Sequence, residues 1–249
     1  SRTQDPKSWL VALNYLLGEI ESSAVENNIE ITSLAITATS GTFILCDETG
    51  RPITQAIMYN DASASSPIAR AKLLNQPDST FKHVPEFLIS YLTKSEDVVT
   101  DWSHALKTGF DLENKKWQVS SEFKMPDVVS PGTKLGEISY SLPLAGVSIY
   151  AGMTDGCTGQ ISAGGTEIGS AVSTIGTTLV TKIIADKNIS GPGFYSHLIP
   201  ENTWLAGGAS NLGGISLKKF SNLDELNILA TNSGPANRVV YPLVGQGER

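Results

Sequence analysis

Between Lys7 and about Asn28, Trp9, Leu13, Leu16, Ile20 and Ala24 return every three or four residues, while Glu19, Glu21 and Glu26 fall off that stripe. A turn of 3.6 residues brings such positions onto one face, so the spacing predicts an amphipathic helix. Two β-rich runs follow, Leu34 to Thr37 and Thr42 to Cys46, on either side of the small polar "ATSG". They read as a strand pair with a polar pinch, and "ETGRP" as the next turn. "ASASSPIARAKLL" and "PEFLISYLT" read as helices, and "DWSHALKTGFDLENKKW" as a short helix passing through Gly109 into a turn and a further strand. "GTKLGEIS" and "AGVSIYAGMTD" carry strand character, and "GCTGQISAGG" reads as a helix of small residues. "SAVSTIGTTLVTKII" is a strand-turn-strand unit, β-branched on both sides of its turn. "TWLAGGASNLGGISLKKF" is a strand that ends in glycines and opens a helix, and "SNLDELNILATNS" is a capped helix. Strands and helices mixed in two lobes predict an α/β architecture, with residues 1–165 as one domain and 166–249 as a second.

Composition narrows what such a fold does. The 249 residues are 40% hydrophobic, enough to bury a core in either lobe. Eighteen basic against 25 acidic residues leave a formal charge of −7, which disfavours broad contact with phosphate backbones or anionic membranes. Neither nucleic acid nor a membrane is expected as a partner, and oligomeric state is not legible. No run approaches the ~18 apolar residues of a membrane helix, and "SRTQDPKSW" lacks the apolar core of a signal peptide, so the expected location is the cytoplasm. Cys46 and Cys157 are far apart and read as reduced thiols; His83, His104 and His197 are scattered, form no metal spacing, and read as surface or satisfied groups. The chain opens without Met on helix-like sequence and stops at "VGQGER", which reads as part of something longer.

Three polar, glycine-bearing turns follow strand-like runs: "ATSGT" at 38–42, "TIGTT" at 174–178 and "GGASNLGG" at 207–214. Each offers backbone N–H groups and hydroxyls without bulk, as a phosphate-cradling or polyol-binding loop requires; each also fits an ordinary turn. The patterns G-x-x-x-x-G-K-[ST], G-x-S-x-G and G-x-G-x-x-G are missing in the required context, which weakens hydrolase and dinucleotide readings. Asp155 is a lone carboxylate among Gly152, Gly156 and Gly159, where small neighbours allow another molecule close approach. It reads either as the cap of the following helix or as a general base toward a hydroxyl, a role needing no histidine partner. Asp61, in "IMYNDASAS", reads as a second candidate acid or as an Asx-turn.

Taken in order, "ATSGT", "YNDAS", "DWSHALKTGFD", "YAGMTDG", "STIGTTLVTK", "YSHL", "WLAGGASNLGG" and "YPLVGQGER" resemble the FGGY carbohydrate kinases across nearly the whole chain, and most closely their plant and bacterial D-ribulose (pentulose) kinase branch. That resemblance implies two actin-like, ribonuclease-H-like domains with a cleft between them, the second incomplete, and ATP with Mg2+ as cofactors. The implied reaction moves the γ-phosphoryl group of ATP to the terminal hydroxyl of a pentulose, D-ribulose first and D-xylulose as the alternative. Carried over by position, Asp155 matches the catalytic base; Thr39 and Ser40 match sugar-contacting residues, and Asp61 lies near the sugar. Gly176, Thr177 and Thr178 match the turn that holds nucleotide phosphates, and Gly207, Asn211 and Gly213 the corner beside the nucleotide. Against the family pattern, an amino-terminal phosphate loop, an internal helix and the carboxy-terminal adenosine-binding part are expected to be missing, and His104 stands where an asparagine is usual. A shortened, non-catalytic sugar-binding remnant is therefore the reading that competes with a kinase.

Overall fold

The computed structural model describes residues 2–97, 99–118, 122–176, 178–210, 213–214, 222–235 and 237. They divide into two units, one running to Gly159 and including His197–Asn202, the other comprising Gln160–Ser196 and the residues from Thr203 onward. In chain order the elements are β1 (Thr3–Gln4), α1 (Pro6–Glu26), β2 (Ser33–Ala35), β3 (Phe43–Cys46), β4 (Ala56–Ile57), α2 (Pro67–Lys72), β5 (Thr80–His83) and α3 (Val84–Thr93). There follow β6 (Thr100–Asp101), α4 (Trp102–Thr108), β7 (Phe110–Asp111), β8 (Lys116–Trp117), β9 (Val128–Val129), β10 (Lys134–Glu137), β11 (Ser148–Tyr150) and α5 (Asp155–Ser162). The remainder is β12 (Ala171–Ile175), β13 (Leu179–Ala185), β14 (Phe194–Ile199), a 3-10 turn (Pro200–Asn202), β15 (Thr203–Ser210) and α6 (Leu223–Ser233). This is the expected α/β mixture; the helix expected after "GGASNLGG" lies outside the described residues.

Helix α1 starts where Asp5 accepts a hydrogen bond from Lys7 N and Pro6 takes the first turn, a position that needs no N–H. Its buried face differs by one residue from the expected stripe. Leu17 is 1% exposed, whereas Leu16 is 54% and Ile20 41% exposed. Adjacent leucines satisfy the helical period equally well, and the packing decides between them: Leu17 joins Ile89, Leu92, Ile138 and Ile149 in one core, with Leu13 against it.

The reading of β2 and β3 as one strand pair fails. Strand β3 pairs antiparallel with β4 and β5 in a four-stranded sheet of order β1-β4-β3-β5. Strand β2 pairs parallel with β11 in a separate sheet of order β10-β11-β2. The turn that folds β3 back is "ETGRP" instead: Gly50 N donates to Asp47 O, and Ile53 N to Leu45 O. Gly50 has a φ of +74°, which a glycine adopts without strain. All four residues of β3 are buried, Phe43 and Leu45 toward a cluster with Phe81 and Ile68, Ile44 and Cys46 toward one with Ala56 and Phe87. A continuous apolar run is what a strand covered on both faces requires. Phe43 stacks on Phe81 at 4.7 Å between ring centres. Both cysteines are free and buried, and burial pushes the Cys46 thiol up to about 11.

In the second unit, β12 and β13 form the expected antiparallel hairpin inside a sheet of order β12-β13-β15-β14. Helix α6 is capped as expected, Asn222 accepting from Asp224 N and Glu225 N. Among the described residues no helix is long and apolar enough to cross a membrane.

The α1 face has a direct test. Leu17→Ala should lower unfolding free energy by about 2–5 kcal/mol, whereas Leu16→Ala should stay within about 0.5 kcal/mol. Urea denaturation of the two variants checks this, and the reverse order would contradict the packing.

Candidate active site

The parallel register of β2 and β11 matches Ser33 with Ser148, Leu34 with Ile149 and Ala35 with Tyr150, and the two chains stay together beyond the strands. At Gly152 the backbones nearly touch: a Cβ there would sit 2.1 Å from Ile36 O, so only glycine fits. Ala38 then bridges Thr154, and Asp155 N donates to Ala38 O at 3.1 Å. The "ATSG" loop and the start of α5 thus lie side by side at the carboxyl ends of two parallel strands, where open α/β sheets gather ligands.

Asp155 is exposed, and its Oδ1 accepts from Gly156 N at 2.7 Å. The first helical bonds, from Cys157 N and Thr158 N, end on Thr154 O. Thr154 therefore holds the cap position and Asp155 the first helical one, which corrects the capping alternative by one residue. A carboxylate in the first turn still suits the positive end of the helix dipole.

Thr39 and Ser40 sit in the loop between Ala38 and Thr42. Thr39 Oγ1 lies 3.4 Å from Thr42 Oγ1, which accepts from Tyr59 N at 3.0 Å, so the loop is tied to the segment carrying Asp61. Asp61 itself is folded as an Asx-turn. Its carboxylate accepts from the Ser63 hydroxyl, Ser63 N at 2.9 Å and Arg2 N at 2.5 Å. Those bonds, the Ser63 hydroxyl foremost, hold its pKa down at about 2. Both carboxylate oxygens thus accept bonds from this chain's own backbone and hydroxyl groups.

Beneath the site lies a polar network that the sequence reading missed. Ser103 Oγ accepts from the buried Thr154 N at 2.8 Å and donates to Asp101 Oδ1 at 2.5 Å. Asp101 caps α4 through Ser103 N and His104 N, and its Oδ2 meets His104 Nδ1 at 2.5 Å. His83 joins Glu86 through Nδ1 at 2.9 Å and Thr108 through Nε2 at 2.7 Å. His83 and His104 are both fully buried, with ring centres 5.7 Å apart. Burial works against charge on His104, but the Asp101 hydrogen bond and charge, with Glu86 and the Ala38 backbone, outweigh it and raise its pKa. Burial likewise opposes the Asp101 charge, and the His104 and Ser103 bonds reverse it, lowering that pKa. The one signal available in the sequence was "DWSH", an acid two and three residues before Ser103 and His104 at a helix start. His197 is also buried, at 4% exposure.

In the second unit the two glycine-bearing motifs meet. Gly176 N donates to Thr178 O, and Gly214 N to Gly176 O at 2.6 Å. A Cβ on Gly213 would sit 2.3 Å from Thr178 C, and one on Gly207 2.3 Å from Thr181 O. Glycine at 207 and 213 is thus demanded by close passage of this chain's own backbone. Thr177 and Asn211 lie outside the described residues. Among the described residues no three His, Cys, Asp or Glu side chains gather as a metal cage. Magnesium that arrives on nucleotide phosphates needs only one or two protein carboxylates, and Asp155 is an exposed carboxylate beside the loop.

No protein-family model matches the chain. A xylulose kinase from Staphylococcus epidermidis is 24% identical over 297 aligned positions, covering 99% of this chain and 60% of that protein. The crystal structure of a xylulose kinase from Brucella ovis superposes with a TM-score of 0.77 at 17% identity, covering 93% of this chain and 57% of that one. The glycerol kinase of Plasmodium falciparum, solved with ADP, superposes with a TM-score of 0.74 at 17% identity, covering 93% and 55%. The chain shares the fold of these two-domain sugar kinases and spans about 60% of the length of the curated relatives it matches.

The network makes two predictions. Ser103→Ala leaves the buried Thr154 N–H without its acceptor and should cost about 1–3 kcal/mol in urea denaturation. The Asp101–His104 pair has one lowered and one raised pKa. Its stabilisation is complete above the ordinary carboxylate value of 3.8 and below the ordinary imidazole value of 6.5. It fades as pH falls through the lowered Asp101 value or rises through the raised His104 value. The stability gap between wild type and Asp101→Asn, followed by denaturation across pH, should therefore be widest in that window and narrow on its alkaline side; a flat gap would contradict the charged pair.

Proposed function

We propose that the chain is part of an ATP-dependent pentulose kinase in which Asp155 is the general base. The observation that carries this reading is that the Asp155 backbone is bonded to Ala38, at the start of the Ala38–Thr42 loop beyond the carboxyl ends of β2 and β11, while its carboxylate is exposed. Thr39 and Ser40 offer hydroxyls to a polyol there, and Asp155 takes the proton from the attacking terminal hydroxyl. As that oxygen bonds to the γ-phosphorus, the bond to the β,γ-bridging oxygen breaks and ADP leaves. Positioning and charge neutralisation carry most of such a transfer, and magnesium supplies the latter when bound. In the second unit, Gly176, Thr178, Gly207 and Gly213, with Thr177 and Asn211, are the residues proposed to meet the nucleotide. Asp61, its carboxylate oriented by Ser63 and Arg2 N, is proposed to meet the sugar from the neighbouring segment through its remaining acceptor capacity.

The sugar is D-ribulose or D-xylulose, which differ in configuration at one carbon. The motif resemblance favours the first, and the names of the similar proteins favour the second. Discrimination of that kind rests on hydrogen bonds to a single hydroxyl.

The test is ATP-dependent phosphorylation of both sugars by the protein and by Asp155→Asn. Turnover of the preferred sugar should fall ~10²–10⁴-fold, the usual contribution of a general base, while calorimetry shows the sugar still bound. Unchanged turnover would remove Asp155 from the chemistry. Sugar binding by wild type with no transfer would instead support the non-catalytic remnant.

A further inference from the structure

Two consecutive residues of α4 reach the two chains that meet at the Ala38–Thr154 bridge. Ser103 Oγ accepts from Thr154 N at 2.8 Å, and the ring of His104 lies against the Ala38 backbone, which favours its charged form. Asp101 orients both side chains. Its Oδ1 accepts from Ser103 Oγ and its Oδ2 from His104 Nδ1, each at 2.5 Å. With Nδ1 committed to Asp101 as a donor, protonation of the ring is registered at Nε2. That nitrogen is buried and has no partner in hydrogen-bond geometry, a state uncommon enough to require a cause. Ala38 O, beside it, already accepts from Asp155 N at 3.1 Å. On a neutral ring Nε2 turns a lone pair toward that carbonyl and the two repel; on a charged ring it turns an N–H and they attract.

The ionisable groups around the ring favour the charged state. Asp101 is bonded to it, Glu86 adds a second negative charge from α3, and His83, with its ring centre 5.7 Å away, is bonded to Glu86. The other elements packed on α4 have their charges engaged elsewhere. Asp111 of β7 is turned onto Asn114 and Gln118, Arg70 of α2 onto the Met58 and Tyr59 carbonyls, and Lys72 onto Glu122, while β9 carries no charge. Both anchors therefore act on one joint. Thr154 precedes Asp155 and Ala38 opens the Thr39–Ser40 loop, so a shift between them moves the acid relative to the hydroxyls. A misplacement of about 1 Å costs a catalytic group up to about 10²-fold.

We propose that His104 is a positioning residue for Asp155: its Nε2 hydrogen draws in the Ala38 carbonyl while Ser103 holds Thr154, and the joint is tight only while the ring is charged. The catalytic consequence rests on the kinase reading; the anchoring of Ala38 does not.

Hydrogen exchange at the Asp155 amide, whose acceptor is Ala38 O, tests the anchor without reference to catalysis. In His104→Leu that exchange should quicken about tenfold while the amides of β3, in the other sheet, keep their protection. His104→Gln, whose amide donates at every pH, should stay within about threefold of wild type. In wild type the protection should be lost as pH rises through the raised His104 value; in His104→Gln it should persist, and this comparison carries the test if the Leu variant does not fold. ATP-dependent phosphorylation then reads the consequence. The kcat should fall about tenfold in His104→Leu with the sugar KM within about twofold, and His104→Gln should restore most of it. Unchanged Asp155 exchange in folded His104→Leu would overturn the proposal, as would an alkaline loss of protection that survives in His104→Gln. Quickened exchange with wild-type kcat would overturn the positioning role. Absence of transfer by wild type would count against the kinase reading alone, with exchange still deciding the anchor.

Discussion

The first unit is organised around the contact of two backbones at Gly152 and Ile36. A side chain at 152 would collide with Ile36 O, so the β2 and β11 segments stay in parallel register only because that residue is glycine. From this one approach follow the Ala38–Thr154 bridge, the bond from Asp155 N to Ala38 O, and the placement of the Thr39–Ser40 loop beside α5. The lone acid is therefore located by backbone geometry rather than by side-chain partners. Its carboxylate is left exposed at a strand end, and the chemistry proposed for it draws on that freedom.

Holding such an end in place requires more than two strands. Thr154 N is buried, and Ser103 Oγ accepts its hydrogen bond. Ser103 is oriented by Asp101, and Asp101 is paired with His104. Buried ionisable groups are costly unless paired and hydrogen-bonded, so their grouping under the site is best understood as positioning. His83 extends the same network to Glu86 of α3 and Thr108 of α4. His104 of the "HALK" segment thus contributes an ion pair beneath the site.

Elements with local causes were legible in the sequence. The helical apolar period of α1, the capped segment "SNLDELNILATNS" of α6 and the β-branched runs of β12 and β13 each carry their own signal, and each element formed as read. What failed depended on contacts distant along the chain. "ATSG" looked like the pinch of a strand pair, yet its strands belong to different sheets because β2 is claimed by β11, more than a hundred residues away. The choice of Leu17 over Leu16 required knowing what covers the helix. Asp61 and Asp155 looked alike in sequence. The structure separates them by their partners, three donors in an Asx-turn in one case and a single N–H in the other. Ser103 was invisible because its function lies in a bond to a residue 51 positions on.

Glycine carried much of the sequence argument, and the structure changes what it means. At Gly152, Gly207 and Gly213 the missing side chain makes room for this chain's own backbone, so the folding constraint alone accounts for the residue. At Gly50 the turn demands the positive φ. A glycine motif is therefore weak support for a ligand until the atoms that its Cβ would strike are known. By that criterion the candidate active site rests on its charge: Asp155 is an acid that packing does not enclose.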